Sequence, residues 1–335
     1  MGYAAKKAEM EQKNNKIRFV VLLVTLGVIA AVCIFSFFVP AQSWKYYVGL
    51  PKVTNANAGE LRVHILDVGQ GDSSLIEFPD GKTMLIDGGD EGSDELVLRY
   101  LNALKINCLD YVMLSHVDSD HVTGLINVIK YKDVKTVIMP YLTGKETETN
   151  KAFSAFYQEV RKKKIEMKVA QRYCEVASSN PATPYSFYIL HPYNVESGGN
   201  AKLEGNNLST VAWLDYHGQS ILFGGEVDKT VFSQLKAEDA LVNIFKNKGI
   251  DLSSTEFLKV AHHGGSGGAE QEFYRYLNVQ TAFISCGKSN AYGHPSEETL
   301  VNLQTVGADI YRTDLDGTIL LTLTADGNAL VTTKN

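Results

Sequence analysis

The feature that most constrains this chain is an uninterrupted apolar segment near its N-terminus. Residues 19–39 (FVVLLVTLGVIAAVCIFSFFV) contain no charged side chain, and about 20 apolar residues are what a bilayer-spanning helix requires. Trp44, Tyr46 and Tyr47 follow the segment, as aromatic residues do at a membrane interface. The chain is therefore expected to divide into a membrane helix and a separate folded part.

Charges before this segment predict its orientation. Residues 1–18 carry five basic and two acidic side chains, so the positive-inside rule keeps the N-terminus cytoplasmic and puts the rest outside. The alternative is a cleavable signal peptide cut near Val39-Pro40-Ala41, although its apolar region would be unusually long. We expect a single-pass cell-membrane protein with an extracytoplasmic working domain. Its parts are a basic cytoplasmic tail over 1–18, a transmembrane helix over 19–39, a linker over 40–60 and one domain over 61–335.

Net charge and cysteine spacing restrict the function classes. Residues 1–50 hold six basic and two acidic side chains, so 26 basic and 36 acidic residues remain, a net charge of −10. Such a surface does not broadly attract polyanions, and a nucleic acid would need a local basic patch. The one dense basic cluster, Arg161 to Lys164, is typical of a solvated helix end. The four cysteines form no CxxC pair, which argues against a zinc ribbon or a disulfide scaffold.

Beyond residue 60, strand patterns alternate with helical patterns in two halves of similar order. This order predicts an α+β fold, with two sheets packed face to face and helices outside. Asp80-Gly81 favours a type I′ hairpin turn, and His217-Gly218 joins a second hairpin. The predicted strands are 61–68, 73–78, 82–87, 110–114, 209–216, 219–225, 257–261 and 281–286, with two more after Asp316-Gly317 and Asp326-Gly327. The predicted helices cover Ser93 or Asp94 to Leu104, Thr123–Tyr131, Asp228–Lys248, Gly268–Leu277 and a segment capped by Ser296.

The strongest chemical signal is the heptapeptide Ser115-His116-Val117-Asp118-Ser119-Asp120-His121 after an apolar strand. It gathers four side chains that can bind metal within six residues, at a strand's carboxyl end. A helix cap would need only one such residue, so a polar turn is a poor explanation. Imidazole and carboxylate together suit zinc, manganese or iron.

This heptapeptide resembles the HxHxDH motif of the metallo-β-lactamase superfamily, and more specifically its HxDxDH variant in the soluble domain of ComEC-type competence proteins. The resemblance covers residues 61–323 and rests on several separated motifs in the same order. It implies a four-layer αββα sandwich. The other motifs are Asp67 to Ser73 (DVGQGDS), Ile86 to Gly89 (IDGG), Asn206 to Ser209, Phe223 to Glu226 (FGGE), Leu258 to Gly264 (LKVAHHG) and Tyr292 to Pro295 (YGHP).

The resemblance also implies a centre for one or two divalent ions. His116 and Asp118 would take one side of it, and Asp120 and His121 the other. Because Asp118 stands where the superfamily usually has histidine, the harder ligand set shifts the preference toward manganese, with zinc still plausible. Asn206, Asn207 and Ser209 occupy the region of the superfamily's next histidine ligand, so one ion site is expected to be weak or missing.

Later motifs supply the remaining candidates. Glu226 stands where the family usually has a metal-bridging aspartate; it either bridges or merely starts the next helix. His262 and His263 follow a buried strand, and since neighbouring strand side chains point to opposite faces, one of them, with a preference for His263, is expected to ligate. His294 is a candidate for contacting substrate, or a turn residue. Asp67, Asp72 and Asp87 are expected to support the site, whereas His64, His191 and His217 have no supporting constellation.

These residues lead to a hydrolytic hypothesis. Bound metal would lower the pKa of a water molecule, Asp120 would hold that water or accept its proton, and His294 would stabilise charge on the substrate. The resemblance implies a phosphodiesterase or nuclease with DNA as the expected substrate. One alternative is a hydrolase of a lactone or cell-envelope ester, which the acidic domain favours. Another is a metal-stabilised binding module that Glu226 has made catalytically weak.

Overall fold

Two units make up the structure, a computed structural model that describes residues 2–39, 41–142, 144, 146–193, 205–242 and 245–334. The first unit is Met1–Gly49 and the second is Leu50–Asn335. Pro40, which belongs to the alternative cleavage site, lies outside the described residues. The finer boundaries of tail, membrane helix and linker stay predictions.

The first unit is dominated by one long helix, α1 (Tyr3–Phe38). Its stretch Glu9–Phe38 is long and apolar enough to cross a membrane, and none of that apolar stretch is buried. Thr25 and Ser36 donate hydrogen bonds to the carbonyls of Val21 and Val32, four residues earlier. Both hydroxyls are therefore satisfied within the helix, as an apolar surrounding requires.

The second unit contains two β-sheets. The first has the strand order β15-β14-β1-β2-β3-β4-β5-β6, and the second β13-β12-β11-β10-β9-β8-β7. The strands are β1 (Glu60–Ile65), β2 (Ser74–Glu77), β3 (Thr83–Ile86), β4 (Cys108–Met113), β5 (Asp133–Met139), β6 (Glu166–Val169), β7 (Glu175–Ala177), β8 (Ser186–His191), β9 (Val211–Tyr216), β10 (Gln219–Phe223), β11 (Phe257–Lys259), β12 (Thr281–Ile284), β13 (Asp309–Arg312), β14 (Thr318–Thr324) and β15 (Ala329–Lys334).

Helices cover the outer faces of both sheets, which gives the predicted αββα sandwich. Side chains from both sheets, such as Ile76 and Phe283, fill the layer between them. A second core packs the other face of the second sheet against helices through residues such as Leu222 and Phe232. The helices of this unit are α2 (Ser93–Ala103), α3 (Ser119–Tyr131), α4 (Glu146–Thr149), α5 (Lys151–Lys163), α6 (Lys229–Val242), α7 (Gln271–Leu277), α8 (Glu297–Thr305) and α9 (Thr313–Asp316).

The two hairpin turns differ from each other. At His217-Gly218 both residues have positive φ, 55° and 82°, and Tyr216 pairs with Gln219, as in a two-residue type I′ turn. The type I′ prediction for Asp80-Gly81 is wrong. A type I′ turn needs positive φ at both residues, and here Gly81 has positive φ but Asp80 does not. Phe78 pairs with Lys82 around a three-residue loop, and Gly81 takes the left-handed position that such loops require.

Helix ends also differ from their predicted positions. Ser296 caps α8 as predicted, accepting a hydrogen bond from the Thr299 amide, and the Arg161 cluster ends α5. Helix α3 begins at Ser119 rather than Thr123, so the metal-binding motif runs into its first turn. Within the described residues helix α6 extends to Val242, and Lys246–Lys248 form a 3-10 turn instead of the end of the predicted helix.

Two glycines allow α3 to touch the loop that follows β3. A Cβ built on Gly124 would lie 1.9 Å from the Gly88 carbonyl oxygen, and one on Gly88 would lie 2.6 Å from the Leu125 amide nitrogen. The Gly88 amide also donates to the His121 carbonyl at 2.8 Å. Backbone-to-backbone contact therefore fixes the helix that carries Asp120 and His121.

We predict that Gly124→Ala destabilises the protein by about 1–3 kcal/mol, the usual cost of overpacking. The sign of the change in the free energy of unfolding is informative, because replacing glycine by alanine inside a helix otherwise stabilises a protein by roughly 1 kcal/mol. Thermal unfolding of the full-length protein in detergent micelles measures it. The control is Gly268→Ala, whose new methyl group would meet nothing closer than 3.4 Å. Equal melting temperatures for the two variants would refute the close contact.

Candidate metal centre

The heptapeptide motif places its side chains where β4 ends and α3 begins. Asp118 is the N-cap residue of α3 in extended conformation, yet its side chain makes no capping hydrogen bond. Asp120 and His121 lie in the first turn of the helix. His116 and His121 are buried, and their ring centroids lie 4.0 Å apart. The turn therefore directs the motif's donors into one region.

Glu226 lies at the centre of that region, immediately after β10 and the Gly224-Gly225 pair. Its carboxylate is buried and bordered by three imidazoles. Oε2 lies 3.0 Å from His116 Nε2, while Oε1 lies 3.1 Å from His121 Nε2 and 2.9 Å from His263 Nε2. One carboxylate thus faces histidines from both sides, which is the placement of a bridging ligand.

The donors form two groups that share Glu226, and within each group the ligand atoms lie within 4.8 Å of one another. One group has four side chains: Asp120, His121, Glu226 and His263. The other has three: His116, Asp118 and Glu226. Imidazole nitrogens and carboxylate oxygens in these numbers suit a divalent transition metal.

His116 provides a test of whether these residues fit a metal. Its Nε2 is buried and makes no hydrogen bond to any residue that the structure describes, although Glu226 Oε2 is only 3.0 Å away. The two atoms are close, but their geometry is not that of a hydrogen bond, so Nε2 has no bonding partner among these residues. Buried polar atoms without a partner are rare in proteins. A cation between the imidazole and the carboxylates would satisfy it, so the residues fit a metal ion.

Electrostatics in the centre favour positive charge. Burial alone would raise the pKa of Glu226, but the imidazoles of His116, His121 and His263 beside its two oxygens hold that pKa well below the usual range. Burial likewise lowers the pKa of His121, but the carboxylates of Asp87 and Glu226 outweigh it and raise the pKa to about 10. The pKa of Asp120 is lowered despite its burial, chiefly by its hydrogen bond from His263. The carboxylates thus stabilise either protonated imidazole or a cation.

His263, and not His262, faces the centre. Its ring is buried, its Nδ1 donates to the Ser285 carbonyl at 3.0 Å, and its Nε2 lies 3.2 Å from Asp120 Oδ2. The expected strand geometry is wrong here. β11 ends at Lys259, and both histidines occupy a tight turn with positive φ, 51° and 52°. The His262 ring instead lies 5.4 Å from that of His294.

Asp87 holds the motif in position from behind. Its carboxylate accepts hydrogen bonds from the Ser115 amide (2.7 Å) and hydroxyl (2.6 Å), and from His121 Nδ1 (2.9 Å). A partner on Nδ1 fixes the ring orientation and leaves Nε2 directed at the centre. Asp87 is thus placed to orient His121.

Asp72 forms a buried ion pair that sequence reasoning missed. Lys259 Nζ lies 2.7 and 2.8 Å from the two Asp72 oxygens, and Asp72 Oδ1 lies 3.5 Å from His263 Nδ1. Burial would raise the pKa of Asp72, but Lys259 overrides it and holds the pKa far below its usual range. A lysine in the predicted apolar strand FLKVA was the available signal, since lysine is almost never fully buried unless paired.

The remaining candidates lie at different distances from the centre. Asn206 Nδ2 donates to Glu226 Oε2 at 2.8 Å, whereas Asn207 bonds Asp228. Ser209 is buried, and its hydroxyl makes no hydrogen bond within the described residues. Asp67 accepts from the Gly69 amide in its own turn, and the described contacts do not bring it to the centre.

His294 and Tyr292 border the outer side of the centre. The His294 ring lies 6.0 Å from that of His263 at an interplanar angle of 28°. Its Nδ1 is buried and has no hydrogen-bond partner in the described part of the chain. The Tyr292 ring also stacks with that of His294, at 5.8 Å and 27°. His294 is therefore beside the ligands rather than among them.

A two-sheet sandwich with histidines and carboxylates converging at strand ends defines a metallohydrolase-type fold. The profile of the metallo-beta-lactamase superfamily matches residues 66–233, and the chain belongs to that superfamily, whose members are metal-dependent hydrolases. The predicted resemblance and fold are thereby confirmed. The match includes the heptapeptide and Glu226 but ends before His263.

Several bacterial proteins are similar to this chain over most of its length. The chain is 28% identical to "ComE operon protein 3" of Bacillus subtilis over 89% of its own length and 36% of that protein. It is 25% identical to "Competence protein ComA" of Neisseria gonorrhoeae, over 78% and 32%. The chain thus spans about a third of the length of these relatives. A solved structure, the metallo-beta-lactamase fold protein YhfI of Bacillus subtilis, is 11% identical with a TM-score of 0.46, covering 81% of this chain and 99% of that one.

We predict that Lys259→Met destabilises the protein by about 3–5 kcal/mol, because it leaves the Asp72 carboxylate buried without its partner. The double variant Asp72→Asn/Lys259→Met removes both charges and should lose much less. Urea unfolding of the full-length protein in micelles gives the free energies. If the double variant is as unstable as the sum of the two single variants, the ion pair is not what couples these residues.

The burial of His191 leads us to predict that the stability of the protein depends on pH. Its ring is buried and bonds the Asn207 carbonyl (2.8 Å), and burial lowers its pKa to about 4. The folded state therefore binds a proton less readily than the unfolded chain. The contribution of neutral His191 to the free energy of unfolding is fully present above the ordinary histidine pKa of about 6.5. It is lost as the pH falls toward 4.

Relative to His191→Gln, which cannot titrate, the wild-type protein should lose about 2–3 kcal/mol between pH 7.5 and pH 4.5. Urea unfolding at both pH values measures the difference. Parallel pH profiles for the two proteins would show that His191 is not held neutral.

Proposed function

We propose that this chain is a membrane-anchored phosphodiesterase that acts on nucleic acid outside the cytoplasm. The observation that carries the proposal is the sharing of Glu226 by two groups of metal-binding side chains. Paired metal sites of this kind suit phosphodiester hydrolysis, where both the attacking and the leaving oxygen need stabilisation. The group with four donors is the fuller site, and the group with three is the weaker.

A divalent ion, zinc or manganese, would supply a water of lowered pKa and neutralise charge on the phosphodiester. Glu226, His121, His263 and Asp120 would hold it, with His116 and Asp118 completing a second position. Aspartate at position 118 supports manganese, because oxygen donors suit harder ions.

Two side chains have roles toward the substrate. Asp120 is only partly buried, its side chain being 25% exposed, so it reaches both the ligands and the solvent side. It would accept the proton of the attacking water. His294 borders the ligands, and its ring would donate a hydrogen bond to a phosphoryl oxygen.

The resemblance to ComEC-type competence proteins supports nucleic acid as the substrate class. Among the relatives matched over most of this chain, one is named a competence protein and another a recombination protein. The apolar helix supports a membrane anchor, and the basic residues before it support a cytoplasmic N-terminus. The folded unit would then work outside.

A second candidate is a hydrolase of a lactone or cell-envelope ester. The net charge of −10 beyond residue 50 favours it, because an acidic surface repels a polyanion. A substrate panel of an oligonucleotide, a lactone and a phosphocholine ester would separate the two. Metal binding without turnover of any of these would support the binding-module alternative.

We predict that full-length protein in micelles, reloaded with manganese or zinc, cleaves an oligonucleotide, and that His116→Ala lowers the rate at least a hundredfold. The physical reason is that His116 is one of two side chains that complete the weaker donor group. Release of labelled fragments measures cleavage, and metal content is determined in parallel.

The matched control is His217→Asn. His217 is an exposed histidine in a hairpin turn with a φ of 55°, a conformation that asparagine tolerates. It should retain the wild-type rate. Equal turnover by the wild-type and His116→Ala proteins would reject the assignment of the centre.

A further inference from the structure

We propose that Tyr292 is a stacking platform for a base of the nucleic-acid strand whose backbone crosses the metal centre. The inference rests on the proposed function and deepens it, because it assigns a base-binding position that no metal ligand supplies. It follows from the exposure of the ring, its place beside the ligands and the rigidity of its loop.

Tyr292 is 72% exposed. Among the described residues of Leu50–Asn335 it is the only exposed aromatic side chain. Aromatic rings contribute most when their faces are covered, so a ring left in water next to a reaction centre is available to a ligand. Every nucleobase has a flat face that can stack on such a ring without regard to sequence.

The Tyr292 ring is connected to the candidate centre through the ring of His294. The centroids of His263 and His294 are 6.0 Å apart, and those of His294 and Tyr292 are 5.8 Å apart. The successive interplanar angles, 28° and 27°, leave neighbouring rings roughly parallel. Tyr292 is therefore two ring contacts from a histidine of the candidate centre, and most of its surface is exposed to solvent.

The loop that carries Tyr292 is braced at both ends. Asn290 Nδ2 donates to the carbonyls of Gly287 (2.9 Å) and His294 (2.6 Å), and its Oδ1 accepts from the His294 amide (3.0 Å). Gly287 in turn donates to the Gln70 side chain at 3.1 Å. A platform held in this way loses little conformational freedom when a base stacks on it.

Charge gives a reason for using a neutral platform. The net charge beyond residue 50 is −10, so long-range attraction does not bring a polyanion to this unit. Stacking supplies affinity without opposing that charge. Lys288, an exposed cation on the same loop, adds local attraction for a phosphate.

Binding of two single strands tests the inference. One is a phosphorothioate oligothymidylate, whose linkages resist hydrolysis, and the other is an abasic strand of equal length. Full-length wild-type protein in micelles, loaded with manganese, should bind the base-bearing strand roughly five- to a hundredfold more tightly, the usual range for loss of one aromatic stack. Fluorescence anisotropy measures both dissociation constants.

Tyr292→Ala should weaken binding of the base-bearing strand to the level of the abasic one, whereas Tyr292→Phe, which keeps the ring and removes the hydroxyl, should bind as wild type does. Leu330→Ala removes another exposed apolar side chain, 60% exposed on β15, and should change neither constant. Melting temperatures of all variants verify folding.

If Tyr292→Ala binds the base-bearing strand as tightly as wild type, the stacking platform is overturned. Failure of the proposed function has a different signature: the wild-type protein cleaves no oligonucleotide with ordinary linkages, whatever its affinity. A preference for bases that vanishes in Tyr292→Ala supports the platform in either case.

Discussion

The meeting of one buried carboxylate with three imidazoles is the interaction on which the rest of the site depends. Glu226 lies within 3.1 Å of His116, His121 and His263. These histidines come from two separate segments, the heptapeptide and the turn after β11. Each of these side chains is buried, so their mutual neutralisation replaces the stabilisation that water would give. The extra methylene of glutamate, compared with the family's aspartate, does not prevent the carboxylate from reaching histidines on both sides.

Around this carboxylate a second set of contacts fixes the orientation of the ligands. Asp87 holds His121 and Ser115, Ser285 holds His263, and Lys259 neutralises Asp72 behind it. The backbone contact between Gly88 and Gly124 fixes the helix itself. The two sheets thus contribute differently: the first supplies the motif and its supports, and the second supplies Glu226 and His263.

Local patterns predicted much of this arrangement. Alternating strand and helix signals were enough to predict the sandwich. The density of histidines and carboxylates in residues 115–121 was enough to locate the candidate centre, where the structure brings these side chains together. The failures have physical causes. At Asp80-Gly81 only Gly81 has positive φ, so the chain forms a three-residue loop instead of the predicted type I′ turn. His262 and His263 lie in a tight turn and not in the predicted strand. The Asp72–Lys259 pair joins residues 187 positions apart, a distance at which local periodicity carries no information.

The separation of the ligands along the chain makes cation binding inseparable from folding. The heptapeptide belongs to the first sheet's side of the sandwich, whereas Glu226 and His263 follow strands of the second. An unfolded chain cannot bring these donors together, so a cation held by them would bind the native state selectively. It would stabilise that state in proportion to the logarithm of its concentration above the dissociation constant. Metal supply in the surroundings would then govern the lifetime of this protein as well as its chemistry.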